Sequence, residues 1–315
     1  MLAALSAALA LLTQDPTGPA PDPQAEEPVE LDAVTVTGRR LDDLIKGFVG
    51  EVAAPNRDRG LARWDGRVCV GVANLRSDLA QYLVDRVSTV AEDVGLETGG
   101  PGCTPNILVV ATDDGGGLAQ ALVEERARAF RMGGPGMDRG GAALRDFQQT
   151  DRPVRWWQMS VPVDADTGWR AVRIPGECTG ACESPVDFAP VLTVTSPSRL
   201  RSQIVDNLAR TIVIVDIDET AGKVTSTQLA DYIAMVSLAQ IDPDADTSRY
   251  ATILNVFDDP TAADHLTGWD QAYLEGLYDA ERGSAGRRAG RGEVVRSIHR
   301  AHVRANAAED EVPAE

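Results

Sequence analysis

Two short runs constrain the fold most: Asn106-Ile107-Leu108-Val109-Val110-Ala111-Thr112 and Thr211-Ile212-Val213-Ile214-Val215. Both are continuously apolar and rich in β-branched residues rather than alternating, which is the pattern of strands covered on both faces. A sheet covered on both faces needs helices above and below it, and the surrounding sequence supplies them. After a shorter apolar run from Val68 to Val72, the stretch Ser77 to Val94 carries Leu79, Leu83, Val87 and Val90 at helical spacing. Leu118 to Phe130, rich in Ala and Glu, follows the Asn106 to Thr112 run. This order predicts a β-α-β-α block over residues 65–131 of an α/β or α+β domain.

Beyond that block the pattern changes. Gly133-Gly134-Pro135-Gly136 and Gly140-Gly141 interrupt regular structure. Trp156 to Val161 and Val191 to Val194 read as strands, with one of Trp156 and Trp157 in the core and the other at a surface or interface. Leu200 to Ala209 reads as a helix ahead of the Thr211 run. Ser226-Thr227-Gln228 opens a helix with Leu229, Ile233, Val236 and Ala239 inward, and Asp242-Pro243 ends it. A last packing helix is expected near Trp269 to Tyr278, where Ala272, Tyr273 and Leu277 share a side.

Three segments near the end are the most distinctive: Thr252 to Asp259, then Leu266-Thr267-Gly268-Trp269-Asp270, then Tyr273-Leu274-Glu275-Gly276-Leu277-Tyr278. With the long helix after Ile212 to Val215, they resemble zincin-like secreted bacterial proteins. The resemblance covers residues 64–282, is carried by residues 211–280, and implies a zincin-like mixed sheet packed by helices. In that family the helix bears a metal-binding His-Glu-x-x-His pattern or a variant of it. The corresponding stretch here is Ile233-Ala234-Met235-Val236-Ser237, so both histidine positions and the glutamate position are empty. A zinc peptidase needs nitrogen or oxygen ligands and a carboxylate that activates water. The chain's histidines are His265, His299 and His302, none in that stretch. The expectation is a domain with no catalytic residues of that type.

The amino-terminal part points to a partner. Leu2 to Leu12 is apolar but too short to cross a bilayer as a helix, and reads as an export signal within residues 1–20. No later segment suits an integral membrane helix, so none is expected after signal removal. Prolines mixed with acidic residues then predict a flexible tether over residues 21–60. Inside it, Glu30 to Arg40 contains Leu31, Val34, Thr35, Val36 and Thr37, an alternating β-branched run suited to adding a strand to a partner's exposed sheet edge. In spelling and position this run resembles the TonB box of outer-membrane TonB-dependent receptors, which implies docking to a TonB-type periplasmic protein. The rest of the chain lacks the long series of transmembrane strands of such a receptor.

The expected organisation is therefore a signal, a tether, a zincin-like globular domain at 61–282 and a charged helix and tail at 283–315. The expected function is a periplasmic or secreted non-catalytic adaptor with an unknown protein cargo. A divergent metal-dependent hydrolase with an acidic cleft, or a structural periplasmic protein, are the competing readings.

Charge and cysteines narrow the chemistry further. A formal net charge of -18 argues against a general nucleic-acid surface. The arginines from Arg282 to Arg304 alternate with Ala, Gly, Glu and Ser and read as a solvated terminal helix. Four cysteines allow three complete pairings. Cys69 and Cys103 each precede a strand and suit a bond between neighbouring strand entrances, while Cys178 and Cys182 lie in a short loop that closes on itself. A four-thiolate zinc site lacks its two close cysteine pairs.

No cofactor is expected beyond a weak calcium candidate at Asp242-x-Asp244-x-Asp246. Alternate carboxylates suit calcium, but Thr247 stands where a calcium loop needs Gly, and its closing Glu is missing. Asp216, Asp218 and Glu219 are expected to line a cleft, cap a helix or hold a cation. Asp231 is expected to cap a helix or face solvent. Gly115-Gly116-Gly117 reads as a turn, not a phosphate loop.

Overall fold

A computed structural model describes residues 38–131, 136–173, 187, 189–192, 201–284 and 286–310. Four strands form one mixed sheet: β1 (Val70–Ala73), β2 (Ile107–Thr112), β3 (Val154–Asp164) and β4 (Ile204–Asp216). Their spatial order is β1-β2-β4-β3. The first three run parallel, with Val70 opposite Ile107 and Ile107 opposite Thr211. β3 runs antiparallel to β4 from Val154–Val215 to Asp164–Ile204, with a register shift between Met159 and Ser160.

Helices cover both faces. On one side lie α1 (Gly38–Val52), α2 (Ser77–Asp93), α7 (Ser226–Leu238), α8 (Gly268–Asp279) and α9 (Arg287–Asp310). They bury Val70, Ile107, Val109, Val213 and Val215 in the main core. On the other side α3 (Gly115–Glu125), α4 (Ala127–Phe130) and α5 (Gly140–Gln149) cover Trp157, Met159, Ile212 and Ile214. The short helix α6 (Ile217–Thr220) follows β4 directly. The expected mixed sheet packed by helices is present. Among the described residues no helix is long and apolar enough to cross a membrane.

Several local expectations are corrected. Residues 204–209 belong to β4, not to a helix. Ile204 and Leu208 sit four apart, a spacing that puts them on one side of a helix and equally on one side of a strand. Pairing along the whole of β3 decides between the two. Helix 118–130 is broken at Arg126 into α3 and α4. Within β2, Ile107, Val109 and Ala111 are buried while Leu108, Val110 and Thr112 are only half-buried. Both Trp156 and Trp157 are buried, on opposite faces, and their indole N–H groups donate to Ile241 O at 3.1 Å and Phe130 O at 2.8 Å. Val191 and Leu192 are not in a strand.

The folded body is also longer at both ends than expected. The tether does not reach residue 60, because Ile45, Phe48, Val49 and Val52 of α1 lie in the main core. Their spacing gives one apolar helix face, and the Phe48 ring meets Tyr250, Trp269 and Tyr273 edge-on. Nor is α9 merely solvated: Val294, Val295, Ile298 and Ala301 are buried. Gly276 lets α9 approach α8 this closely, since a Cβ there would stand 2.4 Å from the Ile298 backbone.

Cys69 and Cys103 form a disulfide with Cα atoms 6.1 Å apart, tying the entrance of β1 to the segment before β2. This pairing removes the four-thiolate zinc alternative. Cys178, Cys182 and the run holding Leu31, Val34, Thr35, Val36 and Thr37 lie outside the described residues. Replacing Cys69 and Cys103 together by serine is expected to lower stability by about 2–4 kcal/mol, because the bond restricts the unfolded chain. Urea unfolding of the double variant beside the oxidised protein measures it.

Candidate functional site

The position the zincin resemblance assigns to metal is packed solid. Every residue of α7 from Gln228 to Leu238 is buried, and Ile233, Ala234, Met235, Val236 and Ser237 have no exposed surface. The end of the helix is buried too, so its last carbonyls need protein partners. Gln158 donates to Val236 O at 2.8 Å and to Ala239 O at 2.7 Å. The Trp64 indole takes Ser237 O at 2.9 Å, and the Tyr278 hydroxyl takes Leu238 O at 2.7 Å. These side chains offer zinc no donor set.

Asp231 corrects the sequence expectation most sharply. It neither caps α7 nor faces water; it is fully buried. Arg86 of α2 grips it through Nε to Oδ1 at 2.5 Å and Nη2 to Oδ2 at 3.0 Å. The Leu266 N–H donates to the same carboxylate at 2.7 Å. The hydrogen bond that Arg86 donates to Asp231 raises the Arg86 pKa above its ordinary value, with burial opposing. Asp231 therefore joins three segments and presents nothing to a substrate.

The Leu266 to Asp270 motif is also structural. Thr267 caps α8 by accepting from the Asp270 N–H at 3.1 Å, and the Asp270 carboxylate accepts from the Thr267 N–H at 3.0 Å. Asp270 accepts further from the Thr252 hydroxyl at 2.5 Å and the Ile253 N–H at 2.8 Å. The spelling Thr-x-x-Asp before an apolar run is the signal that identifies this capping box.

The acidic candidates separate. Asp242 pairs with Arg139 at 2.9 Å, and Asp244 pairs with Arg152. Asp246 accepts from the Ser248 hydroxyl at 2.6 Å and its N–H at 3.2 Å; these bonds, the hydroxyl's first, lower its pKa. Asp216 caps α6 by accepting from the Asp218 N–H at 3.1 Å and also accepts from the Gly115 N–H at 2.9 Å. The glycine run is needed there for space rather than for a turn. A Cβ on Gly115 would stand 3.2 Å from both Arg155 Nε and Asp216 Oδ2. Among the described residues no three His, Cys, Asp or Glu side chains come together as a metal site. His265 is exposed, with Nδ1 2.7 Å from Leu266 O. His302 meets the Trp269 ring edge-on, and His299 stands 3.9 Å from Asp42.

A cleft lies elsewhere, between the 55–63 segment, the start of β4 and the corner joining α8 to α9. Its volume is about 810 Å³, within the range of small-molecule sites. Six arginines line it, Arg57, Arg59, Arg63, Arg282, Arg288 and Arg291, against the three acids Asp58, Asp206 and Glu281. Half of these arginines are engaged in structure. Arg59 pairs with buried Asp206 at 2.8 Å, and burial raises the Asp206 pKa against that pairing. Arg63 closes the end of α8 by donating to Leu277 O at 2.6 Å, Tyr278 O, and Ala280 O at 3.1 Å. Arg282 donates to Asp65 at 3.1 Å and to Asp206 O at 2.7 Å.

Burial, followed by repulsion from Arg282, lowers the Arg63 pKa to about 10. The other three arginines are exposed. Arg57 has only a loose 3.7 Å contact with Asp58. Arg288 and Arg291 share one side of α9 with Val294 and take part in no ion pair among the described residues. The sequence reading passed over this cleft, although the spacing of Arg288, Arg291 and Val294 marks a helix face. Comparison with protein-family models, curated proteins and solved structures finds no match to this chain.

Proposed function

We propose that this chain is an exported, non-catalytic binding protein whose Leu31 to Thr37 run docks a TonB-type periplasmic domain while the folded body holds a cargo. The observation that carries the non-catalytic half is the packing of Ile233 to Ser237, where the resembled family places its metal and where no side chain reaches solvent. The Cys69–Cys103 bond supports export, because such bonds persist in oxidising compartments. The first described helix opens at Gly38, directly after the docking run, so a strand captured there would be coupled to the body without a long intervening segment.

Calorimetric titration of the full chain with a TonB carboxy-terminal domain tests the docking half. A deletion of residues 31–36 spares α1 and serves as the control. Saturable binding that disappears in the deletion is the expected result. Equal binding by both proteins, or by neither, overturns the docking assignment.

A further inference from the structure

We infer that the arginine-lined cleft beside the α8–α9 corner is a binding site for a small organic oxyanion, a carboxylate or phosphate ester carrying an apolar portion. The inference rests on the binding reading above and is independent of docking by the Leu31 run.

Three observations converge on it. The cleft carries an excess of cationic side chains in a chain whose formal net charge is -18. Such a local reversal of sign concentrates anions from solution against the field of the whole molecule. Second, the arginines divide into two sets. Arg59, Arg63 and Arg282 are held by protein partners, Arg59 by Asp206, Arg282 by Asp65 and Arg63 by carbonyls at the end of α8. Arg57, Arg288 and Arg291 keep guanidinium donors available, and the planar fork of guanidinium matches carboxylate and phosphate geometry.

Third, the walls between these charges are apolar, with Leu61, Ile204, Leu277 and Val294 among the lining residues. A bare inorganic ion would leave that surface against water, whereas an organic anion covers it. Burial, followed by repulsion from Arg282, lowers the Arg63 pKa, and a neighbouring anion would favour its protonated form. The volume, about 810 Å³, admits a ligand of several carbon atoms plus its charged group.

The test is calorimetric titration of the full chain with phenyl phosphate, with phthalate and with inorganic phosphate. One-to-one saturation by phenyl phosphate or phthalate is expected, at least tenfold tighter than by inorganic phosphate and weaker as salt is raised. Whichever aromatic anion binds more tightly identifies the oxyanion. The Arg288→Ala, Arg291→Ala double variant is expected to lose at least tenfold in affinity, and Arg57→Ala, a fully surface change, serves if the double variant unfolds. Absence of saturation by both aromatic anions, or affinity unchanged in the variants, overturns the site. The residue 31–36 deletion is expected to bind these anions as the full chain does, which separates a failure of this site from a failure of TonB docking.

Discussion

Replacing Arg86 by methionine is expected to destabilise the protein by about 3–5 kcal/mol, the cost of leaving a buried charge without its partner. Methionine keeps much of the arginine stem, so the loss reports on the guanidinium more than on packing. Asp231 has no exposed surface, and without Arg86 its carboxylate keeps only the Leu266 N–H at 2.7 Å. The second variant, Asp231→Asn, retains an acceptor for Leu266 while removing the charge. Combined with Arg86→Met it is expected to recover more than half of the single-variant loss, because the unpaired charge has gone. Urea unfolding of the wild type, both singles and the double gives the coupling directly. A loss below about 1 kcal/mol for Arg86→Met would show that the pair contributes no more than an exposed one.

The Asp270→Asn variant is expected to lose about 2–4 kcal/mol at neutral pH. Asparagine has one oxygen to offer the donors from Thr252, Ile253 and Thr267, and its amide N–H groups then face other donors. The carboxyl pKa in the folded protein is raised, with burial the larger cause and the hydrogen bonds opposing it. A folded pKa above the unfolded value of about 3.9 means that the folded state binds the proton more tightly. The contribution from this titration is therefore fully present below the unfolded pKa and is lost as pH rises through the folded one. It follows that the penalty of Asp270→Asn should be larger at pH 4 than at pH 7. Denaturant unfolding at the two pH values checks the sign, and a penalty that grows with pH contradicts it.

Periodicity made much of the fold legible. The cores of β1, β2 and β4, and helices α2, α7 and α8, follow from apolar spacing that points to one element type. The misreading at 204–209 has a physical origin, since a four-residue spacing satisfies both periods and only the long β3 partner separates them. Helix α1 was hidden because its apolar face, from Ile45 to Val52, lies within residues 21–60, whose opening prolines and acids set the opposite expectation. The chemistry was less legible than the fold. Asp231 and Asp270 carry no local sign of burial, because what buries them comes from α2 and from the loop at Thr252, distant in sequence. The cleft was missed for the same reason. Its arginines come from the 57–63 segment and from 282–291, and no window along the chain contains both.

The contact between α1 and α9 bears on how the protein is made. These two helices come first and last among the described elements, yet both complete the same hydrophobic core, which α8 shares. During synthesis Phe48, Val49 and Val52 emerge long before Val295 and Ile298, and their shared core cannot close until α9 is available. Contacts between such remote segments form late, because the loop they close is long. An emerging chain therefore leaves this side of the core open until its last described helix has been made.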